Sequence, residues 1–326
     1  MEAVLDVRNL HTRFERPDSV VYAVNGVSFQ VLPGEWLGIL GESGSGKSAM
    51  LMSILHLLGN NGQVFDGEIM FDGQDLLHMS KRELRYVRGQ HIGVVFQNVV
   101  NSFNQYLRVG QQIMEPLLEH GICSKAEAKQ RAIALMGEMG IPDPAVRFAN
   151  YPFELSGGMR QRAMIAAALA CEPKLLLADE PTTALDTTIQ VQVLAVLRRA
   201  CERRKMSTVM VTHDIGVATN VCDRVLVLYG GQVMEMAEID QFIQRPAHPY
   251  TLGLRSSALD NRRKGMFAPI SGNAQTLIQP PVGCPFAPRC RFADSTCDAV
   301  RPAFRQLEKD HWVACHHVEG VAVNGG

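Results

Sequence analysis

Eight consecutive residues, Gly41 to Ser48 (GESGSGKS), space glycines, a lysine and a serine in the way that grips a triphosphate. Gly41, Gly44 and Gly46 let the backbone turn tightly, so successive N–H groups can face phosphate oxygens. Lys47 can reach the β- and γ-phosphates, and the Ser48 hydroxyl suits Mg2+, which takes hard oxygen ligands. Gly41, Ser43, Gly44, Ser45, Gly46, Lys47, Ser48 and Ala49 together form the expected phosphate cradle. Gly44, Gly46 and Ala49, with Asp66 downstream, also match a dinucleotide fingerprint, but the Lys-Ser pair has no role in that reading. Two elements must position the loop. Trp36 to Leu40 reads as a buried strand entering it, and Ala49 to Leu58 as a helix leaving it with its N-terminal dipole toward the anion.

Four further motifs follow in order: Gln97, LSGGMRQR (Leu155 to Arg162), LLLADEPTTALD (Leu175 to Asp186) and His213. Leu175 to Ala178 predicts a buried strand that delivers Asp179 and Glu180 at its C-terminal end, where ligands gather in open α/β sheets. Asp179 is expected to hold Mg2+ and Glu180 to polarise the attacking water. His213 follows the strand-like run Ser207 to Thr212 and would contact the γ-phosphate. Gln97 follows Ile92 to Phe96, and its amide can reach Mg2+ or the water. Ser156, Gly157 and Gly158 precede a helical run, Met159 to Ala170, and make a second anion site. One chain thus carries two phosphate-binding elements. A head-to-tail pair, each nucleotide sandwiched between two protomers, resolves the geometry.

This ordered set resembles the ATP-binding cassette ATPases from about Val4 to Met236. The resemblance implies ATP as ligand, contacts from Ser156, Gly157 and Gly158 to the partner's nucleotide, and Asp186 at the dimer interface. It also implies an aromatic residue stacked on adenine; Phe14 fits best and Tyr22 second. The expected fold is α/β: a P-loop NTPase (RecA-like) ABC ATPase core with an antiparallel β lobe, an inserted helical subdomain and a small Cys-rich C-terminal extension. The segments expected are 1–97 with 162–236 (nucleotide core), 98–161 (helical subdomain with Gln97 at its edge and the serine-glycine motif) and 237–326 (extension). Short strands are expected near Val4 to Val7, Val27 to Val31 and Glu68 to Phe71, and helices over Val109 to His120 and Lys125 to Met139. In cassette ATPases the helical segment receives a coupling helix from a membrane subunit.

The 326 residues carry a net charge of −1. No basic field draws the chain to nucleic acid, and Arg198-Arg199 and Arg203-Arg204-Lys205 read as solvated helix faces. No apolar run approaches the roughly 20 residues that span a bilayer, and Met1 to Asn9 has no signal-like apolar stretch. A cytosolic chain that meets a membrane through a partner is expected.

Of eight cysteines, Cys123, Cys171, Cys201 and Cys222 are scattered, and Cys284, Cys290, Cys297 and Cys315 are clustered beyond Gly272 to Pro281, a polar linker-like stretch. The cluster suits a metal better than disulfides in a cytosolic enzyme. Its residues leave an iron–sulfur cluster, zinc (with His316 or His317 able to replace a ligand) and reduced thiols open; the wide gaps favour the first. The strings HPYT (His248 to Thr251), GCPFAPRC (Gly283 to Cys290) and YPFELSGGMRQR resemble the oligopeptide/dipeptide importer branch. That resemblance implies a [4Fe–4S] cluster on Cys284, Cys290, Cys297 and Cys315, with zinc as the alternative. It also implies two transmembrane permease subunits, a second ATPase subunit (identical or different), an extracytoplasmic solute-binding protein, and a place on the cytoplasmic face of the cell membrane. Asn98-Val99, Phe103-Asn104-Gln105 and Phe153 depart from the branch pattern. They flank the expected coupling surface and leave the phosphate site intact. A soluble cassette ATPase acting on nucleic acid or ribosomes is the rival, but it needs a basic face, an arm or a second cassette.

Overall fold

Long buried runs and polar turns set the framework. The computed structural model describes residues 2–98, 102–182, 185–259, 272 and 278–318, so half of the expected linker, 273–277, lies outside the described residues. In chain order the elements are β1 (Leu5–Arg16), β2 (Ser19–Val31), β3 (Trp36–Leu40), α1 (Lys47–Ile54), β4 (Gly62–Phe71), β5 (Gln74–Asp75), α2 (Lys81–Gln90), β6 (Ile92–Val95), α3 (Val109–Glu119), α4 (Lys125–Glu138), α5 (Pro144–Arg147), α6 (Gly157–Leu169), β7 (Leu175–Asp179), α7 (Thr187–Arg204), β8 (Ser207–Thr212), α8 (Ile215–Val221), β9 (Arg224–Tyr229), β10 (Gln232–Glu238), α9 (Ile239–Gln244), α10 (Pro249–Leu259), α11 (Ser295–Ala299), β11 (Arg305–Glu308) and β12 (His311–Val313). No described helix is long and apolar enough to cross a membrane.

Packing groups the chain into two units. The first comprises 1–4, 31–35 and 78–210. Its strands run in the order β8-β7-β6, and β6 pairs parallel with β7 from Ile92↔Leu175 to Val95↔Ala178. β7 and β8 are buried along their whole length, so neither alternates inward and outward residues. Helices α3, α4 and α6 pack on one another. Ser80 and Ser124 start α2 and α4 with reciprocal capping boxes to Glu83 and Glu127. One reading of the basic groups is corrected. Arg203 and Arg204 are not merely solvated: Arg204 donates from both terminal nitrogens to Glu138 at 2.7 Å, joined by Arg203 at 2.8 Å, tying α7 to α4.

The second unit comprises 5–30, 36–77 and 211–326. Its antiparallel lobe has the order β2-β1-β4-β5. Leu5 and Val7 point inward from β1, then Leu10 and Thr12 do. The parity changes at a register shift between Arg8 and His11, so this strand runs far beyond the Val4 to Val7 expected from alternation. Thr12 Oγ1 meets Ser53 Oγ of α1 at 2.7 Å and anchors the helix behind the phosphate loop. A second set of strands runs β11-β12-β10-β9-β3, with β3 parallel to β9 and β10 antiparallel to both β9 and β12. The cysteine-bearing extension therefore contributes a hairpin to the same sheet as the strand that feeds the loop.

Candidate functional site

The phosphate loop lies between β3 and α1, where the sequence places it. Gly46 is the N-cap of α1 at φ 105, and a Cβ there would lie 2.2 Å from the Ala23 carbonyl oxygen, so no other residue fits. Ser43, Gly44 and Ser48 are exposed, whereas Ser45 and Lys47 are buried. No side chain caps α1, which suits an anion at that end. α1 stops at Ile54 rather than Leu58, because His56 takes φ 50, outside the helical region. Lys47 Nζ donates to the Gly41 and Glu42 carbonyls at 2.7 and 2.8 Å. The loop rests on a hydrogen-bonded floor: Gly231 N donates to Ser45 O at 2.9 Å and Asn25 N to Gly231 O at 2.8 Å. Phe14 is half-buried on β1, its ring against Gly62. Tyr22 meets Phe65 edge-on at 6.2 Å, and the Arg13 guanidinium lies over Phe65 at 5.3 Å. His213 is exposed directly after β8, and Ala49 is half-buried in α1.

In the first unit, β7 ends on Asp179, buried, and Glu180 follows at φ 46. This left-handed backbone in a non-glycine residue marks stored strain of the kind found at working sites. Gln97 Nε2 donates to Glu180 Oε2 at 2.9 Å, so two of the proposed hydrolytic residues are in direct contact. Ser156 caps α6 by accepting from Met159 N at 3.3 Å. Space within 4 Å is open where a Cβ on Gly157 would lie, while one on Gly158 would meet Ile189 of α7 at 3.2 Å. Asp186 caps α7, accepting from Ile189 N at 2.9 Å, a local task that sequence reasoning did not assign to it.

Cys284, Cys290, Cys297 and Cys315 line one cavity, together with His248, His316 and His317. Gly283 allows the approach: a Cβ there would lie 2.2 Å from Cys297 O, and Cys284 N donates to that same oxygen at 2.7 Å. Burial pushes the Cys284 and Cys315 thiols up to about 11, with the neighbouring sulfurs adding to the rise. Such a set becomes anionic only against a cation, which soft metals supply. The four cysteines thus fit a metal. Asp294, Cys297 and His317 offer ligand atoms all within 4.8 Å of one another, the one such trio among the described residues.

Sequence reasoning missed what surrounds Glu42. Its backbone N–H donates to Tyr250 Oη at 2.9 Å, and Arg289 of the GCPFAPRC string donates to its carboxylate at 2.7 and 3.1 Å. Glu42 and Arg289 are 247 residues apart, and the sequence signal was limited to the family resemblance that the HPYT and GCPFAPRC strings carry. The buried Glu235 accepts from Ala247 N, His248 N and His311 Nε2, each at 2.8 Å, and so holds the start of the HPYT helix α10.

A glycine-lined loop between a buried strand and a helix, in a chain that also ends a buried strand on a carboxylate pair, is the mark of a P-loop nucleotide hydrolase. Comparison with known proteins narrows this. The ABC transporter family model matches residues 24–183, and the model for the oligopeptide/dipeptide transporter C-terminal region matches 234–297. The chain is 45% identical over 317 residues to a probable peptide ABC transporter ATP-binding protein, y4tR, of Sinorhizobium fredii, covering 96% of this chain and 95% of that one. It is 42% identical to the oligopeptide transport ATP-binding protein OppD of Haemophilus influenzae, covering 91% and 92%. The dimeric structure of MJ0796, a bacterial ABC transporter cassette, superposes with a TM-score of 0.65 at 32% identity, covering 72% of this chain and 98% of that one. The chain belongs to the ATPases of ABC transporters, in their oligopeptide/dipeptide branch.

Proposed function

We propose that this chain hydrolyses Mg-ATP in a head-to-tail pair of cassettes and thereby powers import of di- or oligopeptides, or similar small solutes, through two membrane permease subunits. The similarity along nearly the whole chain to peptide-transport ATP-binding proteins carries this reading. Nucleotide lies between the Gly41 to Ala49 loop of one cassette and Ser156 to Gly158 of the other. Open space at Gly157 supports the approach of an outside group. Ser48 and Asp179 hold Mg2+ with Gln97, and Glu180 orients the water. The contact between Gln97 and Glu180 supports one shared role at the γ-phosphate. His213 braces that phosphate, Asp186 faces the partner, and Phe14 (Tyr22 second) stacks on adenine. Hydrolysis then works by placement and fixed electrostatics. The second cassette is a copy or a related chain. The complex lies against the cytoplasmic face of the cell membrane and takes cargo from an extracytoplasmic binding protein. Residues 98–161 connect the nucleotide to the permease, and 237–326 form the extension. In proteoliposomes with the permease subunits, E180Q should bind ATP while turnover falls by at least about 100-fold. Normal turnover would remove Glu180 from this role.

The extension's cysteines hold a [4Fe–4S] cluster in this reading. The single cavity that all four cysteines line supports one shared metal group. When bound, the cluster supplies four iron–thiolate bonds that cross-link an extension with little core of its own. His316 and His317 line the same cavity. Protein purified without oxygen should be brown, with about four irons per chain; colourless protein with a single zinc would reverse the assignment.

A further inference from the structure

We propose that Arg289 is a positioning residue for the phosphate loop, and that metal held by the four cysteines sets how tightly the loop grips nucleotide. The inference rests on the nucleotide and metal readings above.

Glu42 is the hinge of the loop. Its carbonyl oxygen accepts from Lys47 Nζ at 2.8 Å and from Ser45 N at 3.2 Å, so its position sets where the ammonium and one loop amide point. Two parts of the C-terminal segment hold it in turn. Tyr250 Oη receives its N–H, and Arg289 grips its carboxylate with both terminal nitrogens. The Arg289 side chain is only 7% exposed. Its guanidinium also donates to Tyr229 Oη at 3.1 Å, and its centre lies 5.6 Å from that ring's centroid. A planar fork in this setting fixes direction as well as charge.

What fixes Arg289 is the cysteine turn. Ala287 N donates to Cys284 O, Arg289 N to Phe286 O and Cys290 N to Ala287 O, at 3.0 to 3.1 Å. The turn thus runs from one cysteine to the next, with Arg289 immediately before the second. A metal bonded to Cys284 and Cys290 pins both ends and preorganises the arginine. Phe286, from the same turn, packs on Tyr250 with centroids 5.2 Å apart. A second strap leaves beyond Cys297. Arg301 donates to Asn25 O at 3.0 Å, and Asn25 leads through Gly231 to Ser45 O. Metal release frees the turn, loosens Glu42 and weakens the hold on phosphate.

The test measures binding of Mg2+ and a fluorescent N-methylanthraniloyl-ATP to the full chain, purified anaerobically, before and after chelator stripping. R289A should keep its metal and weaken binding about tenfold, or about 1.4 kcal/mol. E42Q, which cuts the same pair from the loop side, should weaken it similarly, and the double variant should be no worse than either. R289K should recover part of the loss. Stripping should weaken wild-type binding by a similar factor and leave R289A nearly unchanged. Wild-type affinity in R289A would overturn the positioning role. Equal further loss on stripping in both proteins would overturn the coupling to metal. A wild type that holds no metal as purified refutes the cysteine reading and the coupling with it, while the R289A result still judges the arginine.

Discussion

Gly46 shows how far one position can bind the rest. Its φ of 105 and the Ala23 oxygen 2.2 Å from any Cβ act together. G46A must move either the loop or the segment under it. We expect a loss of about 2–4 kcal/mol in urea denaturation and no measurable nucleotide binding; wild-type stability would show that the loop relaxes freely. The glycine, Lys47 and the Asp179-Glu180 pair were legible because phosphate chemistry dictates residue type and spacing within a few positions. Arg289 was not legible. Its task depends on folding back across 247 residues onto Glu42, and nothing local to either residue encodes that meeting.

At the scale of elements, helix starts carry double duties. Asp186 begins α7 by accepting from Ile189 N, and the proposed dimer contact uses the same carboxylate. D186N retains a capping oxygen and removes the charge, whereas D186A removes both. D186A should therefore lose about 1 kcal/mol in urea denaturation and D186N only a few tenths, while both impair turnover. Equal stability in all three proteins would deny the cap. β3 and β8 were readable to the residue, since β3 is a short apolar run and β8 is rich in β-branched residues. β1 was not: its bulge flips the inward face midway, and a strict period of two loses it after Val7.

For the molecule as a whole, the extension is joined by a buried ion pair. Burial lowers the proton affinity of His311, but Glu235 at 2.8 Å and Glu308 at 3.6 Å together outweigh it and hold the pKa above the ordinary value. The folded pKa is raised, so this contribution is complete below about pH 6.5 and is lost as pH rises through the folded value. The urea midpoint should fall on that alkaline side, and H311Q should flatten the fall; an unchanged slope would exclude His311 as its source. The sequence reading treated 237–326 as an appendage because its composition changes there. Hydrogen-bond pairing of β12 with β10 could not be read from composition, as three residues of strand leave almost no periodic signal.

That pairing has a consequence for biosynthesis. β12 is made last among the described strands, and β10 needs it as a neighbour. From Glu238 to Val313 the ribosome adds 75 residues, about 4–15 s of elongation. During that interval β10 presents unsatisfied amides to any nascent chain nearby. Overproduction should therefore trap this protein in inclusion bodies most readily when elongation through these 75 residues is slow.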